Sequence, residues 1–184
     1  MPNGKIACLL GPGFEDSEFR IPYDRVKAAG YQIEIIGMKA GEEVKGYKGR
    51  ESIKVEKAID QVKAQEYVAL LIPGGQSPDQ LRVDPRFVQF VKAFDALQRP
   101  LAAVCHGPQL LLAARLVKGR TLTAWSTVQS DLEQAGAKVV DEAVVIDRNW
   151  ITSRKPDDLE KFSAALVEAL QKEDRKTANG QPRP

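Results

Sequence analysis

The chain has 184 residues and a formal net charge of +2, with 27 Lys and Arg set against 25 Asp and Glu. That balance argues against an anionic membrane or a stable nucleic-acid complex as partner, and no apolar run is long enough to span a bilayer. With 2 cysteines and 1 histidine neither a disulfide framework nor a structural zinc centre is expected, and a chain of this length buries a core without them. No metal and no cofactor is expected. The chain opens on no secretory pattern, so a reducing cytoplasm is the expected setting. Residues 1–172 are expected to form one domain. Residues 173–184, polar and carrying Gly180, Pro182 and Pro184, are expected to be a disordered tail.

Ile6 to Leu10 is an apolar run expected to be a strand buried on both faces, with Cys8 as inert packing inside it. A turn-rich connection, Gly11 to Phe19, leads into a helix with Pro22 near its start and Gly30 at its end. Tyr31 to Ile36 is a second strand. Between Lys39 and Lys57 glycine-punctuated alternation predicts a small antiparallel ribbon. Tyr67 to Ile72 is an inner strand ending in Pro73-Gly74-Gly75, and Phe87, Val88, Val91, Phe94 and Leu97 mark a helix over 84–97. Leu101 to Val104 is again a strand, and a helix opened by Pro108 follows. A short helix over 130–135 stopped by Gly136, strands over 143–146 and 150–152, and a last helix opened by Pro156-Asp157-Asp158 with Leu159, Phe162, Leu166 and Leu170 as its buried stripe complete the pattern. Strand and helix alternate throughout, which predicts a mostly parallel sheet covered by helices on both faces, with ligands at the carboxyl ends of the strands.

Cys105 is the strongest chemical signal. It sits where the strand over 101–104 ends and a helix begins, so unpaired N–H groups and the helix dipole favour its thiolate, the nucleophilic form. The sharp turn also places the side chain in the open, as in a nucleophile elbow. His106 is the adjacent proton carrier, although neighbours in a strand point to opposite faces and only a turn brings the imidazole beside the sulfur. Gly74 and Gly75, without Cβ atoms, let backbone N–H groups approach a substrate and form an oxyanion hole with the N–H of His106. Glu15, Asp16 and Glu18 lie on the first connection. Solvated helix capping is expected for at least two of them, whereas one turned inward would sit in a dry pocket and donate a protonated carboxyl to the sulfur.

Four segments carry a resemblance: Gly13 to Phe19, Leu71 to Asp79, Ala103 to Leu111 and Thr152 to Leu159. In order and spacing they resemble the PfpI-type intracellular cysteine peptidase family, within the superfamily of the parkinsonism-associated protein deglycase and the class I glutamine amidotransferase-like domains. The similarity runs from about Lys5 to Leu170. It implies a flavodoxin-like three-layer sandwich with Cys105 as elbow nucleophile and His106 beside it. It also implies that Glu18 is the buried glutamate that hydrogen-bonds the thiol. Asp79 matches the carboxylate that an adjacent subunit supplies to the histidine, and is one methylene shorter than the usual glutamate. A homo-oligomer, dimer or hexamer, with a site shared across subunits follows from the same resemblance.

The implied activity is that of a stress-related cysteine hydrolase, a peptidase or a deglycase acting on glyoxal or methylglyoxal adducts of proteins and nucleotides. Substrates of that kind are peptides, glycated proteins or small aldehyde-derived compounds. The alternative is a non-catalytic redox sensor or chaperone-like stress protein in which Cys105 is oxidised.

Overall fold

The computed structural model describes residues 3–182. In chain order the elements are β1 (Lys5–Leu9), α1 (Asp16–Ala28), β2 (Gln32–Gly37), β3 (Glu43–Lys45), β4 (Ser52–Lys54), β5 (Lys57–Ala58), β6 (Ala69–Ile72), α2 (Ser77–Leu81) and α3 (Pro85–Ala96). They continue with β7 (Leu101–Val104), α4 (Pro108–Ala113), β8 (Thr121–Leu122), α5 (Ser126–Gln134), β9 (Lys138–Val139), β10 (Val144–Asp147), β11 (Trp150–Ser153) and α6 (Leu159–Ala178). The main sheet runs β10-β11-β7-β6-β1-β2-β5, and only the β10–β11 pair is antiparallel. Among the described residues no helix is long and apolar enough to cross a membrane.

The inner strands are apolar on both faces because each face has its own helical layer. Ala7, Leu9, Leu70, Ile72, Leu101 and Ala103 pack on one side with Phe87 and Phe94 of α3, Leu110 of α4 and Leu132 of α5. Ile6, Cys8, Ala69, Leu71, Ala102 and Val104 pack on the other with Phe19 and Val26 of α1 and Phe162 and Leu166 of α6. Alternate residues of each strand thus enter separate cores, so a slip of one register would exchange the two sets. Cys8 is fully buried in the second core, and burial pushes its thiol up, as expected for inert packing. The result is the mostly parallel α/β sandwich with flavodoxin-like order.

The sheet grows outward in both directions from β1, with β2 on one flank and β6 on the other. This reversal opens a crevice at the carboxyl ends of β1 and β6, where parallel α/β sheets bind ligands. A bridge between Phe14 and Gly75 joins the two loops that leave those strands, supported by Glu15 N–H to Gly74 O at 3.2 Å and Gln76 N–H to Gly13 O at 2.8 Å.

Three expectations change. Pro22 is not near the start of its helix: Glu15 caps α1 by accepting the Glu18 N–H, so Pro22 lies in the helix interior, where it cannot donate to the Glu18 carbonyl. Helix α5 begins at Ser126 rather than Ser130. The tail is helical through Ala178, because Tyr31 donates to Asp174, Lys176 pairs with Glu173 at 2.7 Å, and Arg175 and Lys176 suit the negative helix end. Residues 183–184 of the expected tail lie outside the described residues. The ribbon over 39–57 is present as the antiparallel pair β3–β4.

Far from the crevice, at the amino end of β11, Trp150 is fully buried and donates its indole N–H to Asp95 at 2.6 Å while the Arg120 guanidinium lies 3.7 Å from its ring centre. Trp150→Phe removes a buried donor and ring volume, and is expected to cost about 2–4 kcal/mol in urea unfolding. Alkylation of Cys105, at the other end of the sheet, should proceed at the wild-type rate. An unchanged unfolding midpoint would show that this cluster does not anchor the edge of the sheet.

Candidate active site

Strand β7 stops at Val104, and Cys105 adopts φ 61°, a left-handed conformation rare for a residue with a side chain. The strain is held from both ends. The Cys105 N–H donates to Ser153 O at 3.0 Å, and its carbonyl accepts the Trp125 N–H at 2.9 Å. Gly107 closes the turn on Val104 O at 2.8 Å, and a Cβ there would lie 2.5 Å from Ile72 O. This reversal overcomes the opposed directions of adjacent side chains: Cys105 Sγ and His106 Nδ1 are 3.3 Å apart.

Glu18, on the first turn of α1, is fully buried, and the Cys105 thiol lies within interaction range of its carboxyl. Its Oε2 accepts the Gly74 N–H at 2.8 Å, and apart from the thiol its Oε1 has no hydrogen-bond partner among the described residues. A Cβ on Gly74 would sit 2.5 Å from Glu18 Oε2, 2.9 Å from Cys105 Cβ and 2.9 Å from the His106 nitrogen. Only glycine fits where these three groups converge. The expected oxyanion hole is corrected at this point. The Gly74 N–H is committed to Glu18, and the N–H groups that reach the sulfur are those of Gly75 and His106.

The neighbouring acids are not solvated caps, contrary to expectation for two of the three. Glu15 is buried; its Oε2 accepts the Glu18 N–H at 2.9 Å and the Ser17 hydroxyl, and its Oε1 pairs with Lys48 Nζ at 2.8 Å. Burial opposes its charge, but these partners outweigh burial and hold the carboxyl below its ordinary value. Asp16 accepts the N–H groups of Lys48, Arg50 and Glu51 at 2.9, 2.8 and 2.8 Å, which ties the β3–β4 turn to the start of α1. Gly46 is needed for that approach, since a Cβ would fall within 2.3 Å of the Asp16 carboxylate. Lys48 was not singled out in the sequence, although Gly46-Tyr47-Lys48-Gly49 marks a turn at that place.

Burial, reinforced by the Glu15 charge, raises Glu18 from an ordinary 4.5 to about 8. Burial also pushes the Cys105 thiol up, and a Glu18 carboxylate pushes it further, against the N–H groups of His106 and Gly75. The expected thiol lowered by a helix start is therefore revised. Burial and the Glu18 carboxyl outweigh the N–H groups that favour the thiolate. Glu18 and Cys105 behave as a coupled pair: near neutral pH Glu18 keeps its proton, and a thiolate forms most readily while it does so. Burial lowers His106, with Asp79 opposing, so its imidazole is neutral at pH 7 and can accept the thiol proton.

These groups line an open cleft of about 540 Å³ with Tyr47 and Trp125 on its walls. The Trp125 ring is stacked 6.4 Å from His106 at 29°. Asp79 lies in the same cleft but makes its ion pair with Arg82, at 2.5 Å, and its side chain is 60% exposed. Another depression, of about 450 Å³ beside Gln98, Arg148 and Lys172, holds no cysteine, serine or threonine.

Two outcomes test this geometry. Gly74→Ala should slow iodoacetamide alkylation of Cys105 by about a hundredfold, because a displacement near an ångström separates the pair; an unchanged rate in a folded variant would disprove the convergence. The folded state also holds a Glu18 proton that the unfolded chain releases near 4.5, so stability is full below that value and falls as pH rises toward about 8. Glu18→Gln should flatten this slope in urea titrations across that window, and an equal slope in both proteins would show an ionised Glu18.

The DJ-1/PfpI family model matches residues 4–169. The chain is 46% identical over 167 residues to Protein/nucleic acid deglycase 2 of Escherichia coli (strain K12), covering 90% of this chain and 97% of that protein. It is 46% identical over 169 residues to General stress protein 18 of Bacillus subtilis (strain 168), covering 91% and 98%. YraA of the same organism, which carries a provisional name as a cysteine protease, is 45% identical over 166 residues, covering 90% and 98%. Among solved structures, the two-domain protein of Anabaena variabilis with DJ-1/ThiJ/PfpI-like and ferritin-like domains superimposes with a TM-score of 0.90 at 39% identity, covering 91% of this chain and 48% of that one. DJ-1beta of Drosophila melanogaster gives 0.84 at 26%, covering 98% and 97%. Deglycase and cysteine protease names among these relatives place enzymes in the group. With the elbow, the buried glutamate and the sheet order already in place, the chain belongs to the DJ-1/PfpI family.

Proposed function

We propose that the chain is a cysteine hydrolase that removes glyoxal- or methylglyoxal-derived adducts from proteins or nucleotides through Cys105, with peptide hydrolysis as the weaker activity. The observation that carries this reading is the fully buried Glu18 carboxyl against a thiol whose other neighbour is His106 Nδ1 at 3.3 Å. Neutral His106 takes the thiol proton as the sulfur attacks, and protonated Glu18 hydrogen-bonds the sulfur as it gains charge. Sulfur replaces the amine nitrogen on the aldehyde-derived carbon, and the amine departs with a proton from His106. A proton then moves from that carbon to the adjacent carbonyl carbon while the hydroxyl proton passes to that carbonyl's oxygen, giving a thioester. Water hydrolyses the thioester to a 2-hydroxy acid and returns the thiol. One water is consumed, and the N–H groups of Gly75 and His106 stabilise negative oxygen on the way.

Attack on an amide requires expulsion of a poorer leaving group, which a thiol–imidazole contact without a fixed carboxylate serves less well. The Asp79 carboxylate of the same chain is bound to Arg82 and makes no hydrogen bond to His106 among the described residues. We propose that the protein is a homo-oligomer, dimer or hexamer, in which a neighbouring subunit's Asp79 approaches His106. The exposure of Asp79 supports this arrangement.

Mass spectrometry of products from a methylglyoxal-modified peptide and from the same peptide unmodified tests the reading. The protein should release free amine and lactate from the first far faster than it cleaves the second; Cys105→Ala should do neither, and Cys8→Ala should retain activity. Turnover by purified Cys105→Ala would overturn the hydrolase reading, and lack of turnover by wild type would favour the redox reading. For the shared site, inactive Cys105→Ala and Asp79→Asn chains should regain activity when mixed under exchange; exchange without recovery would refute it.

A further inference from the structure

Glu15 and Lys48 form a charged pair beside Glu18, the carboxyl that faces the nucleophile. Glu15 is on the connection leaving β1, and Lys48 is on the turn between β3 and β4. Their 2.8 Å contact is fixed from both sides, by the Glu15 bonds to the Glu18 N–H and the Ser17 hydroxyl and by the three backbone bonds from the β3–β4 turn to Asp16. The lysine side chain is 39% exposed, whereas Glu15, which lines the cleft, is only 4% exposed. A buried carboxylate paired with Lys48, one turn from Glu18, is placed to act on the Glu18 proton.

We infer that Glu15 and Lys48 are positioning residues that set how one proton is divided between Glu18 and Cys105, so that the β3–β4 turn controls the reactivity of the thiol. The inference rests on the Cys105 chemistry proposed above and adds its regulation. The groups that face Glu18 are Glu15 at the helix start, Lys48 from the β3–β4 turn, the Gly74 N–H from the loop after β6, and Cys105 at the end of β7. His106 and Asp79 stand beyond the sulfur.

The two charges act in opposite directions on Glu18. The Glu15 charge disfavours a Glu18 carboxylate and Lys48 favours it, whereas the groups bearing most on the thiol are Glu18 and the N–H groups of His106 and Gly75. When the pair carries one negative charge, that charge resides either on the carboxyl or on the sulfur. An ionised Glu15 disfavours the first arrangement and thereby increases the thiolate share. Removal of its charge lets Glu18 ionise earlier and leaves the sulfur protonated. Removal of Lys48 leaves Glu15 uncompensated at alkaline pH and drives the charge toward sulfur.

The test is the pH profile of iodoacetamide alkylation, read at the Cys105 peptide by mass spectrometry from about pH 5 to about pH 10. The wild-type rate should rise to a plateau with its inflection near 8. Glu15→Gln, which keeps the size of the residue and an acceptor for the Glu18 N–H, should shift the inflection down by about one unit and lower the plateau about tenfold, the same free energy read twice. Lys48→Met should shift both upward, and Lys48→Arg should restore the wild-type curve. Thermal melts establish that each variant is folded. Loss of rate in the same direction for both variants would mean that the pair is merely structural, and wild-type curves in both would mean that it does not act on the thiol; either result overturns the inference. Because alkylation needs no substrate, a protein that turns over neither adduct nor peptide would refute the proposed activity and leave this test intact.

Discussion

Everything at this site depends on the missing Cβ of Gly74. Glu18, the Cys105 side chain and the His106 nitrogen meet within van der Waals reach of the position that atom would occupy. The Gly74 N–H satisfies one carboxyl oxygen, and Glu18 stands against the thiol. A buried carboxyl with one fixed donor and a thiol beside it is stable in the neutral form and unfavourable as an anion. The parallel sheet brings about the meeting, since β1, β6 and β7 are hydrogen-bonded to one another in sequence across the sheet and deliver their following loops to one end.

The short acidic run on the first connection shows how neighbouring residues of one type acquire separate tasks. Glu15 caps α1 and pairs with Lys48, Asp16 collects three N–H groups of the β3–β4 turn, and Glu18 turns to the thiol. The first two are held ionised by their partners and the third is held neutral by burial. Their spacing on the first turn and their distinct donors, rather than residue type, decide which is which. The ribbon that looks peripheral in the sheet order is therefore part of the site: Tyr47 lines the cleft and Lys48 pairs with Glu15.

Much of this was legible in the sequence where one physical cause dominates. The runs that became β1, β6 and β7 are apolar throughout because both faces are covered, and the glycine and proline after Cys105 announce the turn. The two-residue strands β5, β8 and β9 carry no periodicity and take their form from neighbours. Pro22 suggested a helix start, but the side-chain cap from Glu15 outweighed it. The polar composition after Lys172 suggested disorder, although contacts to Tyr31 and between turns extend α6. Glu18 emerged only by resemblance, and Lys48 not at all, because its role comes from a contact between residues 33 positions apart that no local pattern encodes.

The central claim is that Glu18 remains protonated at neutral pH beside the thiol. Difference infrared spectroscopy of the wild type against Glu18→Gln reads this directly. The account predicts a carboxylic-acid C=O band at pH 6 to 7, absent from the variant, that disappears with a midpoint near 8. A carboxylate signature for Glu18 at pH 6 would contradict it.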